Sequence, residues 1–193
     1  MINLTIDYLR RQIPGLKGDL LVSDIAQHGV LHRIPEGQVI LREDQHVDHV
    51  PLVGKGGVKV IRQTAENSIF LYFIQPGETC TMTLASCLRR QTSQVHALTI
   101  VDTEIILLPA EKVYYYTKHF PSWNEFTLES FRMKFDDILG AYDRLAFLPL
   151  EERILSYLED IARIRQDNTL TITHAQLAAE MAARRVSVSR ILK

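Results

Sequence analysis

The pattern of apolar and polar positions divides the chain into parts with different periods. From about His32 to Leu108, short runs rich in Val, Ile, Phe and Tyr alternate with Gly and Pro turns, as in GQVILRED, HVPLVGKGGVKVIRQ, SIFLYFIQPGE and HALTIVDTEIILLP. Several short strands at regular spacing predict a small β-roll or barrel. Beyond Pro121 the period becomes helical, so the predicted fold class is α+β.

The first helical stretch after the strands is long and carries a regular apolar stripe. Ser122 is predicted as its N-cap, with Glu125 at the capping-box position. Apolar residues then recur at alternating steps of three and four: Leu128, Phe131, Phe135, Ile138, Tyr142 and Leu145. This heptad spacing favours a parallel homodimer joined by a coiled-coil seam. The alternative is a helix that packs only on its own β-roll.

A second amphipathic helix follows a break in the pattern. The sequence from Phe147 to Leu150 contains Pro149, which ends the long helix and predicts a hinge. From Glu151 to Arg165 the apolar positions again recur at helical spacing. Its predicted buried face consists of Ile154, Leu155, Leu158 and Ile161.

The last residues, ITHAQLAAEMAARRVSVSRILK from Ile172 to Lys193, predict two short helices joined by a tight turn. Thr173 with Gln176 three residues later is a capping-box signal for the first helix. Leu177, Ala178 and Met181 form its apolar stripe, and Ala178 is small enough to allow close helix packing. The second helix is expected to face the first helix with Ile191, Leu192 and either Val186 or Val188.

The outer face of the second helix is basic, and no acidic residue follows Arg184 in the sequence. Arginine suits paired contacts with the guanine edge, and serine suits a base or a phosphate. The pattern is that of a helix-turn-helix that enters the DNA major groove, in preference to a basic surface helix, because a capped helix stands directly before it. The predicted DNA-contacting residues are Thr173, Arg184, Arg185, Ser187, Ser189, Arg190 and Lys193.

Composition restricts the class of protein. The chain has 193 residues, of which 46% are hydrophobic and 23% charged, with a net charge of −1. These are ordinary globular values, and the chain as a whole is not a basic nucleic-acid binder. No apolar run reaches membrane-spanning length and no signal peptide is evident, so a cytoplasmic protein is expected. No metal set, nucleophile elbow or phosphate loop supports an enzyme.

The terminal motif resembles that of the Crp/Fnr (cyclic-AMP receptor / fumarate-nitrate regulator) family of bacterial transcription regulators. Arg185, Val188, Ser189 and Arg190 match the end of the family pattern Arg-Glu-x-Val-Ser-Arg. Three positions depart from that pattern. Ala182 replaces the turn glycine, Arg184 replaces the capping Ser or Thr, and Val186 replaces a glutamate that reads cytosine.

The β-rich part resembles the effector domain of the same family in the order of its motifs, which run from Ile34 to Ile40, Gly57 to Val60 and Gln75 to Glu78. The resemblance implies an N-terminal cyclic-nucleotide-binding-type β-roll over 1–120, a dimerisation helix over 121–147 and a winged helix-turn-helix over 148–193. In the family a β-hairpin wing follows the recognition helix. Because this sequence ends at Lys193, we expect the wing to be missing, by truncation or by nature.

The phosphate-binding cassette of the family's cyclic-AMP binders is altered here. Its Gly-Glu pair falls on Thr81 and Met82, and its arginine falls near Thr92 or Ser93. Arg89 and Arg90 lie upstream and could meet an anion, although solvated loop bases are the simpler interpretation. Without the carboxylate and the cation, a cyclic nucleotide loses its strongest polar contacts, so cyclic-AMP binding is not expected.

Cys80 and Cys87 allow two interpretations. They could be a redox sensor, with ionisation favoured by Arg89 and Arg90. The favoured interpretation is that both are small buried residues of the β-roll. An iron–sulfur cluster of the family type needs four cysteines, and the chain has two.

The histidines give a weaker signal. His46 and His49 lie near Asp44 and Asp48 and could bind a metal, but a solvated turn is favoured. A haem sensor stays open, because a single axial histidine leaves no motif.

Together the motifs and the resemblance predict a homodimeric transcription regulator that reads a palindromic operator and is gated by an effector or a redox signal at the β-roll. The resemblance implies duplex DNA, a second copy of the chain and RNA polymerase as partners. The alternative is a small-molecule-binding module or an enzyme without a DNA-binding role. The identity of the effector and the operator sequence are not specified by these motifs.

Overall fold

The N-terminal part of the chain places two helices before the strands. The computed structural model describes residues 4–63 and 68–193. Helix α1 spans Ile6–Gln12 and α2 spans Asp19–His28. Thr5 caps α1, since its hydroxyl accepts a hydrogen bond from the Tyr8 amide at 3.1 Å.

Within the described residues, seven strands form two antiparallel sheets, which confirms the β-rich region predicted from the sequence. The strands are β1 (Val30–Ile34), β2 (Val39–Leu41), β3 (His49–Lys55), β4 (Val58–Gln63), β5 (Ser68–Ile74), β6 (His96–Thr99) and β7 (Thr103–Pro109). One sheet has the order β1-β7-β3 and the other β2-β6-β4-β5. Helix α3 (Thr81–Leu88) connects β5 to β6.

The two sheets enclose an apolar interior. Its side chains come from both sheets and from the start of α3: Leu41, Val53, Val58, Val60, Tyr72, Ile74, Cys80, Val95, Ala97 and Ile105. Alternate residues of a strand point to opposite faces, so Val58 and Val60 point inward while Lys59 points outward. Lys59 lies opposite Phe73 in the antiparallel register, so these two side chains share the outer face of the four-stranded sheet.

A second core joins the N-terminal helices to the three-stranded sheet and to two later helices. Helix α4 spans Ala110–His119 and helix α5 spans Pro121–Phe147. Tyr116 and Trp123 are among its largest fully buried side chains, and their rings are 5.4 Å apart. The first turns of α5 therefore belong to the core of the roll.

The predicted cap of α5 is wrong. The helix begins at Pro121, Phe120 is its extended N-cap, and no side chain caps it. Proline is favoured in the first helical turn because its fixed φ is already helical and it has no amide hydrogen to satisfy. Pro121 therefore starts the helix before Ser122 can act as a cap.

One buried charge holds α5 on the roll. The Lys134 side chain is only 4% exposed. Its ammonium donates to the Phe73 carbonyl at 2.9 Å, to the Glu78 carboxylate at 2.7 Å and to the Asp137 carboxylate at 2.9 Å. The three donors of the lysine are thus used.

Three further helices complete the described chain: α6 (Leu150–Arg165), α7 (His174–Glu180) and α8 (Arg185–Ile191). The predicted buried face of α6 is partly wrong. Ile154 is buried and Leu158 and Ile161 are partly buried, but Leu155 is 57% exposed and Tyr157 is buried instead. Among the helices of the described residues, none has the length and apolarity to cross a membrane.

Candidate nucleic-acid interface

The capping box predicted for α7 is confirmed. The Thr173 hydroxyl accepts from the Gln176 amide at 3.1 Å, and the Gln176 side-chain oxygen accepts from the Thr173 amide at 2.9 Å. The two bonds satisfy donors at the helix start that would otherwise lack partners. The Thr173 hydroxyl is therefore engaged in the cap, and its predicted contact with DNA stays a prediction.

The turn after α7 places a non-glycine residue in a left-handed conformation. Ala182 has φ of +48°. The turn is closed by a hydrogen bond from the Ala183 amide to the Ala178 carbonyl at 2.9 Å. A left-handed alanine costs about 1 kcal/mol because its Cβ crowds the following carbonyl. Alanine in place of the family's turn glycine at position 182 therefore strains the backbone of this turn.

Helices α7 and α8, here called the terminal helix pair, pack through a small apolar contact. Leu177, Ala178 and Met181 are buried on the first helix and Val188 on the second. Val186 is 68% exposed, so Val188 is the valine that faces α7. Ile191 is partly buried against this contact, whereas Leu192 is 41% exposed and was wrongly expected to face α7.

The outward face of α8 is basic. Arg184, Arg185, Arg190 and Lys193 are exposed, and Arg184 is an N-cap residue without a side-chain cap bond. Among residues 4–63 and 68–193, no carboxylate forms an ion pair with any of the three arginines. Ser187 is half-buried. The surface therefore offers several free guanidinium groups to an anionic partner.

Ser189 does not point freely outward as expected. It is half-buried, and its hydroxyl lies 3.0 Å from Nδ1 of His174 at the start of α7. His174 carried no recognisable signal in the sequence. This hydrogen bond ties the outward face of α8 to α7.

The predicted seam of α5 lies on the surface of the single chain. Its six residues, Leu128, Phe131, Phe135, Ile138, Tyr142 and Leu145, are between 38% and 72% exposed. Monomeric proteins rarely leave so many large apolar side chains in one stripe, and such a stripe indicates an interaction surface. The alternative that the whole helix packs on its own roll does not hold for this stripe.

The effector and redox candidates do not gather in one site. Cys80 is buried in the interior of the roll, whereas Cys87 belongs to the core around the N-terminal helices. Met82 is partly buried against the roll interior. Arg89 and Arg90 are exposed, and the Arg90 guanidinium lies 5.3 Å from the centre of the Tyr114 ring.

Burial works against a reactive thiol at Cys87. It raises the pKa of the Cys87 thiol to about 11, so the nearby arginines do not produce the ionised form considered for a redox sensor. Both cysteines are free and buried, as the favoured interpretation expected.

Tyr72 occupies the interior of the roll beside the altered cassette. Its hydroxyl lies 3.4 Å from the Thr81 hydroxyl and 3.9 Å from the Cys80 sulfur. Burial raises the pKa of Tyr72, so its hydroxyl stays neutral. Nothing in the sequence marks this residue, because an aromatic position in an apolar strand carries no signal for a polar role.

The histidine loop shows only an exposed pair. Nε2 of His46 lies 3.6 Å from the Asp48 carboxylate, and both side chains are mostly exposed. In the part of the chain that the structure describes, no three His, Cys, Asp or Glu side chains come together as a metal site.

Comparisons with known proteins agree with this architecture. Residues 31–119 match the family model "Cyclic nucleotide-binding domain". The sequence matches no curated protein.

Solved structures with this fold include bacterial regulators. A protein from Eubacterium rectale assigned to the Crp/Fnr family of transcriptional regulators is 21% identical, with a TM-score of 0.80 over 96% of this chain and 86% of that one. The c-di-GMP-responsive global regulator Clp of Xanthomonas campestris is 18% identical, with a TM-score of 0.75 over 91% and 90%. A Crp/Fnr-family regulator from Thermus thermophilus is 19% identical, with a TM-score of 0.66 over 84% of each chain. The chain thus has the fold of Crp/Fnr regulators, which confirms the resemblance stated from the sequence.

Proposed function

We propose that the chain is a DNA-binding transcription regulator, acting in the cytoplasm, whose terminal helix pair is a helix-turn-helix. The observation that carries this proposal is the face of α8, where Arg184, Arg185 and Arg190 are exposed without carboxylate partners among the described residues. A short helix held by a capped neighbour and presenting free guanidinium groups suits the major groove, where arginine pairs with guanine.

The apolar stripe of α5 supports a homodimer as the DNA-binding form. Two copies that pair along α5 would bury their stripes against each other, as heptad seams do. A two-fold dimer would carry two recognition helices about 34 Å apart, one turn of DNA, and would read a palindrome. RNA polymerase is the further partner that the resemblance implies.

The β-roll is proposed as the sensing part, without a commitment to one effector. Its interior is filled by apolar side chains and Tyr72, and Thr81 and Met82 stand at the cassette positions. These residues offer neither the carboxylate nor the cation that a cyclic nucleotide needs, which argues against cyclic AMP. An effector or redox signal that shifts α5 would change the spacing of the two recognition helices.

The test is selection of randomised duplex DNA by the purified protein, with and without reductant. The proposal predicts a two-fold symmetric site. Arg190→Ala should then weaken binding to that site by about 1–3 kcal/mol per half-site, because a base contact is lost. The matched control is Arg10→Ala, which removes an exposed arginine of α1 and should leave DNA affinity unchanged.

Two outcomes would count against the proposal. Absence of any enriched sequence under both conditions would favour the alternative of a small-molecule-binding module. Equal losses for Arg190→Ala and Arg10→Ala would mean that α8 has no special role in binding.

A further inference from the structure

The terminal helix pair packs against the roll of its own chain. An apolar cluster joins the outer face of the four-stranded sheet to α6, α7 and α8; its buried members are Phe73, Ile154, Tyr157, Leu177, Ala178, Met181 and Val188. The rings of Phe73 and Tyr157 are 5.8 Å apart. Apolar contact of this kind stabilises the packing but is non-directional, so it fixes no single orientation.

An ion pair lies within this contact. The Lys59 ammonium of β4 donates to the Glu180 carboxylate at the end of α7. The two side chains are only 14% and 10% exposed. Burial, together with the neighbouring Glu180 carboxylate, raises the pKa of Tyr157, so a neutral tyrosine lies beside the pair.

The position of Glu180 connects this pair to the reading helix. Glu180 is the last residue of α7 and stands directly before the turn through Met181 and Ala182 that sets the direction of α8. The same turn is held from α6, where Arg153 donates to the Met181 carbonyl at 2.6 Å. Two cations from different parts of the chain therefore anchor the end of α7.

Two more contacts bring α6 close to the roll. The Arg165 guanidinium donates to both oxygens of Glu36, at 2.8 and 3.0 Å, and also to the Ile100 carbonyl at 2.8 Å. A Cβ at Gly57 would lie only 2.4 Å from Cγ2 of Ile164. The close approach of α6 to the sheet thus depends on glycine at position 57.

A buried ion pair is more informative about geometry than about stability. Desolvation offsets much of its Coulomb attraction, so apolar residues in its place often stabilise a fold equally well. Its two charges must nevertheless meet in good geometry, because an unpaired buried charge is costly. An orientation of α7 that separated Glu180 from Lys59 would leave both charges in the apolar contact.

We propose that Lys59 and Glu180 are positioning residues that fix the orientation of α8 on the roll and thereby the half-site spacing that the dimer accepts. This inference rests on the proposed function, since it concerns how the helix-turn-helix is aimed. Lys59 acts through Glu180 and needs no contact with DNA. The pair also makes the roll, where a signal would act, a direct determinant of the direction of α8.

The experiment measures affinity for a series of palindromes in which the distance between half-sites is changed by one or two base pairs. Each added base pair rotates one half-site by about 35° around the duplex. We expect the wild-type protein to disfavour the altered spacings by about tenfold or more, since both helices must reach the major groove. Lys59→Glu and Glu180→Lys each place like charges together and should reduce this discrimination to about threefold or less.

The charge-swapped double variant, Lys59→Glu with Glu180→Lys, should restore the discrimination because it re-forms the pair. Lys118→Glu makes the same charge change at an exposed site of α4 and should leave the discrimination unchanged. Gly57→Ala tests the inference without a charge change: the added methyl group should push α6 away from the sheet and relax the spacing preference. It also carries the test if a single reversal prevents folding.

The outcomes separate this inference from the proposed function. A variant that is merely destabilised should lose affinity for every spacing by the same factor and so keep the discrimination between spacings. That result for Lys59→Glu and Glu180→Lys would overturn the positioning role. Failure of the swap to restore the discrimination would also overturn it. If the wild-type protein binds no palindrome at all, the proposed function itself is wrong.

Discussion

The interior of the roll and the stripe of α5 contain the same kinds of apolar side chain, but the roll buries them and the stripe leaves them exposed. In the roll, Val60, Ile74 and Ile105 are at most 1% exposed. On α5, Leu128 is 72% and Tyr142 66% exposed. Removing apolar area from water contributes about 25 cal/mol per Å², so the roll gains this stabilisation within one chain and the stripe does not.

This difference shows which parts of the molecule are complete in a single chain. The two sheets of the roll supply each other's partners, and the N-terminal helices cover the remaining face. Helix α5 contributes Trp123 and Phe126 to that core and then extends beyond it with its stripe uncovered. A second copy of α5 has the matching stripe, which is why we propose the homodimer.

The largest expected effect comes from breaking the stripe. Phe135→Glu should weaken dimerisation by at least about 4 kcal/mol, because both copies lose an aromatic contact and each places a carboxylate in the seam. Sedimentation velocity across a concentration series measures this. Met133→Glu changes an apolar residue of α5 that lies off the heptad positions, and it should leave the dimer intact. Similar dissociation for both variants would refute the seam.

A smaller loss, in the free energy of unfolding, should follow when the buried Lys134 charge between α5 and the roll is removed. Lys134→Met leaves the Glu78 carboxylate and the Phe73 carbonyl without their donor. We expect the free energy of unfolding to fall by about 3 kcal/mol. Arg132→Met on the same helix removes an exposed, solvent-screened pair and should lower the free energy of unfolding far less than Lys134→Met does. Equal costs in urea unfolding would show that the burial of Lys134 is unimportant.

Within the roll, Glu104 should make stability depend on pH. Burial raises its pKa, but hydrogen bonds from Tyr8, Lys55 and Arg33 outweigh burial, so the net pKa is lowered. A carboxyl with a lowered folded-state pKa stabilises the fold above its unfolded pKa of about 4.3, and this contribution is lost as the pH falls through the folded value.

Glu104→Gln should therefore reduce stability at pH 7 by about 1–3 kcal/mol, and its deficit should shrink below about pH 4. Urea unfolding at a series of pH values gives both numbers. Glu111→Gln, at an exposed site of α4, is the matched control and should show neither effect. A deficit for Glu104→Gln that stays constant with pH would contradict the role of the charge.

The smallest effect concerns the turn of the terminal helix pair. Ala182→Gly should stabilise this part by about 0.5 kcal/mol, because glycine adopts the left-handed conformation without the steric cost of a Cβ but adds entropy to the unfolded chain. Ala179→Gly within α7 should instead cost up to about 1 kcal/mol. Hydrogen exchange of the α7 amides distinguishes the two, and a loss of protection in Ala182→Gly would contradict the strain at this residue.

Local signals in the sequence predicted local structure well. The pair Thr173 and Gln176 is three residues apart, and its capping box formed as expected. The cap predicted at Ser122 did not form, because Pro121 already occupies the first position of the helix, where proline is favoured. The burial of Tyr157 in place of Leu155 could not be predicted from helical spacing, because it depends on which face of α6 meets Phe73.

The long-range polar contacts could not be predicted from the sequence pattern. Lys59 and Glu180 are 121 residues apart, and each resembles an ordinary surface residue of its element. Lys134 likewise occupies a helix position with no apolar or motif signal, although it is one of the most buried charges of the described chain. Only the packing of α5 and α7 on the roll brings these groups to their partners.

In the proposed function, two copies join along α5 and present two recognition helices to DNA. The most direct measurement is the mass of the complex with the selected duplex, by native mass spectrometry or sedimentation equilibrium. We expect two chains on one duplex at a two-fold symmetric site, and loss of this complex in Phe135→Glu. A single chain bound to an asymmetric site, with the same affinity in Phe135→Glu, would contradict it.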